Sequence, residues 1–363
     1  MASETERVRQ PVAALSFHAN YGCKDTGVCC SSGWEIAVEA PVERALRSQF
    51  RDVAARLPNG PDGFLPMLNP PAGCESAFRS DATATCWFRD ASARKCAVHR
   101  EFGEQALPSA CRQFPRVAIL EPHRVSVSLS HYCPTAAHLL FEDAPGNFGV
   151  VENPRAFPND WPFEGLDAQN SYSPLLRPGV LLGFDGLRAF ETSAVRALSR
   201  PGVHTGLSQI GRAVTRIREW TPVFGPVPGS VGDAFDAAAQ LLPSSGEPLD
   251  PRSVLRASTP SGGPPLPDLP PFLGSSRTFG PLVDLALRRY LAARLIAGWV
   301  VFLSDDLSAV SAYLRLCLSA VFLFESARPR QESELDRWRE SIRSADLWLL
   351  HYCDPELLVR HLR

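Results

Sequence analysis

Lysine is almost missing from this chain: of 37 basic residues only Lys24 and Lys95 are lysines. An enzyme avoiding its own lysine chemistry would look this way, but so does a codon-composition bias, which is the simpler reading. An excess of charge of one sign is lacking as well. With a formal net charge of −2 and a sequence pI near 6.5, the whole chain offers no electrostatic reason to expect nucleic acid or an anionic membrane as partner. The first twenty residues, MASETERVRQPVAALSFHAN, hold no apolar core of the length a secretory signal requires, so the expected location is the cytoplasm. The most apolar stretch, Leu295 to Phe324, is broken by Asp305, Asp306 and Arg315, and neither half approaches the roughly 20 uncharged residues of a membrane span. It reads as a buried helical hairpin. No internal repeat is evident.

What is present is a chain of 363 residues with 45% hydrophobic content, enough for one large core or two modest ones. Pro41 to Leu57 places Val42, Leu46, Phe50, Val53 and Leu57 on one face, an amphipathic helix with proline in its first turn. The following LPNGPDGFLPMLNPPAG is dominated by Gly and Pro and predicts a loop. From Arg124 to Cys133, Val125, Val127 and Leu129 alternate with serines, which predicts one short half-buried strand delivering Cys133. Leu207, Ile210, Val214 and Ile217 repeat at helical spacing behind a Thr205 cap. Ten prolines between Pro243 and Pro281 predict a linker or an ordered surface loop, and strongly helical sequence follows. The expected architecture is mainly α: a small irregular cysteine-rich N-terminal domain with a short strand over 1–150, a helical and irregular segment over 151–242, a Pro/Gly-rich linker over 243–280 and an α-helical body over 281–363.

Eight of the ten cysteines fall between Cys23 and Cys133. In a reducing compartment disulfides would not persist, and the adjacent Cys29 and Cys30 resist pairing with each other. Converging thiolates are soft ligands that select zinc, copper(I) or iron-sulfur clusters, and four of them complete one zinc site or one cubane. The candidate metal ligands are therefore Cys23, Cys29, Cys30, Cys74, Cys86, Cys96, Cys111 and Cys133, enough for two four-ligand sites or for one with thiols to spare. Their spacing matches neither a zinc ribbon nor the ferredoxin runs, and the C-x-x-x-C-x-x-C triplet of radical enzymes is absent. Cys317 and Cys353 lie in apolar helical contexts and read as small hydrophobes. Charged side chains are interleaved with the ligands. His99, Arg100, Glu101 and Glu104 follow Cys96, while Arg112 and Arg116 flank Phe114-Pro115. The arginines either offset thiolate charge and hold a carboxylate-bearing ligand or form an ordinary ion-pair network, and His99 or His131 reads as a ligand, a proton carrier or an outer partner.

The runs CKDTGVCCSSGW, CWFRDASARKCAVHREFGEQALPSACRQFPR and SVSLSHYCPTAAHLLF resemble the cysteine-cluster proteins typified by the flagellin lysine N-methylase, a group that includes zinc- or iron-chelating domains. The likeness runs from Phe17 to Phe141 and extends loosely to LRRYLAARLI near the C-terminus. It implies that Cys23, Cys29, Cys30, Cys86, Cys96, Cys111 and Cys133 are cluster cysteines. It also implies methyl transfer from S-adenosylmethionine to lysine side chains of flagellin, or to another amine, in the presence of an iron-sulfur cluster of the 4Fe-4S type, with zinc as the other occupant. Trp87, Thr135 and Cys74 depart from the family pattern. No Gly-rich strand-turn-helix loop of the kind that cradles adenosylmethionine is found. Chelation of an open iron by its amino and carboxylate groups is the alternative route, with Arg100, Arg112 and Arg116 as candidates to hold the cofactor. The proton of the reacting amine would pass to His99, Glu104 or His131. The competing expectation is a non-catalytic zinc- or iron-binding or metal-delivery protein whose C-terminal helices dock a partner.

Overall fold

A computed structural model describes residues 10–53, 63–68, 70–90, 95–142, 148–241, 250–261, 263–269 and 279–362. In chain order the strands are β1 (Val12–Leu15), β2 (Ile36–Glu39), β3 (Phe64–Pro66), β4 (Cys74–Phe78), β5 (Arg89–Asp90), β6 (Lys95–Cys96), β7 (Arg116–Leu120), β8 (Val125–Leu129), β9 (Val150–Glu152), β10 (Leu166–Asp167), β11 (Leu175–Arg177) and β12 (Val180–Leu181). The helices are α1 (Ala40–Val53), α2 (Ala97–Phe102), α3 (Ser109–Gln113), α4 (Pro134–Leu140), α5 (Phe184–Ser199), α6 (Val203–Ile217), α7 (Val227–Ala239), α8 (Pro251–Ser258), α9 (Pro281–Leu295), α10 (Val300–Leu303), α11 (Ser308–Ser326), α12 (Glu334–Leu347) and α13 (Pro355–Arg360). Their contacts divide the chain into two compact units. The smaller takes Gly22–Arg116 and Cys133–Thr135; the larger takes the described residues through Tyr21, then Val117–Tyr132, then the chain from Ala136 onward.

The larger unit carries a five-stranded sheet in the order β10-β7-β8-β1-β9. β1 runs parallel to β8, with Val12 opposite Val125 and Ala14 opposite Val127, and antiparallel to β9. This sheet corrects the expectation of a mainly α chain with a single short strand: the architecture is mixed α/β. The strand expected over Arg124–Cys133 is present as β8, buried on both faces rather than one, whereas β1 carries no period-2 signal because all four of its residues are buried and none is polar. Every residue of β1 and of β8 is buried. The serines of β8 do not face water. Ser126 donates to the Glu121 carboxylate and Ser128 donates to the Ala293 carbonyl at 2.7 Å.

The helical core shows why an apolar segment can hold so many arginines. Arg288 donates from Nη1 to the Leu198 and Ser199 carbonyls at 3.0 Å each, closing the C-terminus of α5, and Arg289 donates to the Leu140 and Glu142 carbonyls just past α4. Both cations thus meet the negative ends of helices. Asp284 takes the amides of Gly202 and Val203, so the cap of α6 comes from another helix rather than from Thr205. The periodic residues of that helix behave as expected, with Ile210, Val214 and Ile217 buried and Leu207 packed against them. The Pro-rich stretch contains a helix of its own, α8, capped by Asp250 and burying Val254 and Leu255. α11 is long and apolar enough to cross a membrane, and 89% of its most apolar window is buried within the protein.

In the smaller unit β2, β4 and β3 form an antiparallel sheet with Phe78 opposite both Ile36 and Phe64. β3 lies inside the stretch read as a loop: three residues pair through their backbones on an edge, where Pro66 costs no central hydrogen bond. α1 begins one residue before Pro41 and packs Val42 and Leu46 on the small core of Val38, Phe64, Phe78 and Phe88. Of the other expected apolar positions of that helix, Phe50 and Val53 have side chains outside the described residues, as does Leu57 entirely. Gly63 is required here, because a Cβ at that position would stand 2.1 Å from the Phe88 ring.

Candidate metal centre

Four local structures bring thiols together in the smaller unit. Cys29 and Cys30 sit on a single helical turn, Cys29–Ser31, with their sulfurs 4.0 Å apart. Asp81 accepts the Thr83 and Thr85 amides at 2.8 and 3.0 Å, and the turn so formed presents Cys86, whose amide donates to the Cys30 carbonyl at 2.6 Å. Cys96 occupies the position before α2, where the amides of Val98 and His99 reach its sulfur. Cys111 is carried by α3 and, with Cys86 and Cys96, packs against the unit's core. All ten cysteines are free thiols.

The charges of this group are coupled. The Cys30 thiol hydrogen-bonds both Cys29 and Cys96, which holds Cys29 below the ordinary thiol range and Cys96 down to about 7. Cys30 itself is pushed up by those same two contacts and then by burial. Burial pushes Cys86 up to about 12, and burial with the nearby Cys96, Cys86 and Cys29 sulfurs raises Cys111 well above its usual value. A cluster with this donor set loses its protons together only when a cation replaces them. Two thiolates on one zinc stand about 3.8 Å apart, close to the separation of Cys29 and Cys30. Among the described residues, however, no three His, Cys, Asp or Glu side chains already meet in a metal-holding arrangement.

The remaining expected ligands divide. Cys23 is exposed and has Cys133 and Cys29 as its thiol neighbours, while Cys133 is buried. Cys74 starts β4 and faces Glu39, with no thiol among its electrostatic partners. Of the arginines, Arg100 is ion-paired to Asp90 at 2.6 Å and to Glu101 at 2.9 Å, and Arg116 donates to the Arg112 carbonyl at 3.0 Å. The Nε of Arg112 is buried and makes no hydrogen bond, on the helix that carries Cys111. His99 is exposed on α2, and Glu104 is half-buried on the turn that follows it.

His131 belongs to the larger unit and to a constellation that sequence reading does not reveal. Its Nε2 lies 3.2 Å from Nε2 of His18, and its Nδ1 lies 3.3 Å from Asp346, which also accepts the His131 amide. The other Asp346 oxygen stands 3.5 Å from Arg294, and Arg294 donates to the Leu129 carbonyl at 2.6 Å. Burial holds both imidazoles below their ordinary range. Asp346 is held below the usual carboxylate range against the opposing effect of burial, chiefly by Arg294 and then His131. His18, His131 and Asp346 are far apart in the chain, so no local motif announces them; the signal is the three arginines within the apolar LRRYLAAR run. Two cavities of about 30 and 10 Å³ border Arg294 and Tyr313, room for a water but not for a nucleoside. No family model, curated protein or solved structure matches this chain.

Proposed function

We propose that the smaller unit binds a soft metal centre, with Cys29, Cys30, Cys86, Cys96 and Cys111 as its ligand pool and Cys23 and Cys133 as further donors. The gathering of thiols around Cys30, in hydrogen-bond reach of Cys29 and Cys96, carries this reading. A ligand pool made of sulfur suits zinc or an iron-sulfur cluster rather than a hard cation. Closing the group on the metal requires a further inward turn of side chains, which ties metal binding to the order of the unit. Anaerobic purification followed by iron, zinc and acid-labile sulfide analysis, with an absorption spectrum, tests it. Brown protein with iron and sulfide is the expected result. Stoichiometric zinc without a chromophore assigns the other occupant, and protein that takes up neither metal overturns the reading.

The second reading, methyl transfer from adenosylmethionine to a primary amine, is favoured by Arg112. Its unpartnered Nε sits on the helix of Cys111, where it suits a carboxylate. The centre, when bound, would supply a Lewis-acidic point for the cofactor's amino and carboxylate groups. The chain's own part is to hold that carboxylate through Arg112, align the amine and accept one proton. Glu104 and His99 fit the last role better than His131, whose ring nitrogens face His18 and Asp346 inside a closed core. Reconstituted protein incubated with methyl-labelled adenosylmethionine and flagellin or cell extract should label a protein or small amine. No label together with no adenosylmethionine binding would leave a non-catalytic metal-binding protein.

A further inference from the structure

Three consecutive residues at the end of β8 are each fastened to the C-terminal helices. Ser130 Oγ lies 2.8 Å from His351 Nε2, the His131 amide donates to Asp346, and the Tyr132 carbonyl accepts from Arg343 Nε at 3.0 Å. His351 is presented by a π-helical turn, Trp348–Tyr352, that continues α12. Widened turns of this kind are rare and cluster at places where a helix must aim a side chain. A fourth attachment point is His18, just beyond β1, joined to His131 through the 3.2 Å contact between their Nε2 atoms.

β1 and β8 are adjacent parallel strands, and the chain leaves the larger unit after Tyr21 and again after Tyr132. The next cysteines on those two exits are Cys23 and Cys133. Cys86, Cys96 and Cys111 pack against the smaller unit's own core, whereas Cys23 and Cys133 are not part of that packing and lie outside helix and strand. We propose that the buried chain Arg294–Asp346–His131–His18 is a strut that sets how firmly Cys23 and Cys133 are held, and so regulates retention of the metal. Its last step rests on the metal-binding reading given above. A buried ion pair contributes little net stability, but it fixes one arrangement, because removing either partner leaves the other charge uncompensated. With Asp346 gone, the His131 amide and the Arg294 guanidinium lose their acceptor together, and both exits from the sheet loosen.

Three measurements on the full chain test this. In the unaltered protein, hydrogen exchange at the His131 amide, held by Asp346, should be as slow as in α9 and α12; exchange there at the rate of exposed loops would overturn the strut without any variant being made. In metal-free protein, Asp346→Asn and His18→Phe should each raise the alkylation rates of Cys23 and Cys133 about tenfold over those of Cys96 and Cys111. Asp284→Asn serves as the control, since it weakens the larger unit through the α6 cap and leaves the strut alone. Equal acceleration at all cysteines, or the same pattern in Asp284→Asn, would refute the proposal. In metal-loaded protein, release to a chelator should be faster in Asp346→Asn than in Asp284→Asn. If the unaltered chain never takes up zinc or iron, the metal reading falls while the alkylation pattern still decides the strut.

Discussion

At the scale of single residues, the thiols separate into those that share protons and those that do not. Cys111→Ser should lower metal content and protease resistance together, because it removes a sulfur from the group around Cys30 and Cys96. Cys74→Ser and Cys317→Ser should leave metal content unchanged, since the first faces Glu39 and the second is enclosed among the helices. Equal losses in all three would mean the ligands are misassigned. A second residue-scale effect concerns pH. Burial, with the nearby Glu121 carboxylate adding to it and outweighing the opposing Arg124, raises Glu191 to about 7, so between roughly pH 4.5 and 7 the folded state holds a proton that the unfolded chain has released. Stability from this group therefore falls as pH rises through that window, with a slope of at most about 1.4 kcal/mol per pH unit. His351 acts in the opposite direction. Burial lowers it to about 4, so its contribution is complete above roughly pH 6.5 and is lost as pH falls toward 4. Glu191→Gln should flatten the first limb of a stability-against-pH curve and leave the second; an unchanged first limb would contradict the assignment.

At the scale of elements, the long helices were legible, and of the large sheet's strands only β8 was. The Leu207, Ile210, Val214 and Ile217 repeat survives in α6, because its opposite side meets solvent and the contrast remains in the sequence. β1 offers no such contrast, while β8 keeps its Val-Ser alternation, and its serines look exposed until their buried acceptors are known. The α6 cap was unreadable for another reason: Asp284 lies 81 residues from the amide it serves. α9 gives the sharpest element-level prediction. Arg294→Met strands Asp346 in a dry core and should cost roughly 3–5 kcal/mol in a denaturant titration. Arg288→Met removes two charge-assisted bonds to carbonyls near a partly accessible Asp284 and should cost about 2 kcal/mol. The reverse order would show that the Arg294 contact is not made in solution.

At the scale of the whole molecule, the cysteine density between Cys23 and Cys133 was plain from the sequence, but the course of the chain through two units was not. No proline or glycine cluster marks the passage after Arg116, so nothing local betrays a boundary there. Chelator treatment should open the smaller unit to limited proteolysis between Cys23 and Cys111 while α5 to α12 remain protected, whereas uniform digestion would mean that the units do not fold separately. The pairing of Val12 with Val125 also imposes an order on biosynthesis. β1 leaves the ribosome long before its parallel neighbour exists; at about 5–20 residues per second the interval is on the order of 6–20 s. By its end the thiols from Cys23 to Cys111 are outside, and Cys133 is not. On the metal-binding proposal, a metal donor in the cell would therefore meet most of the proposed ligands on a nascent chain, before β1 and β8 can pair.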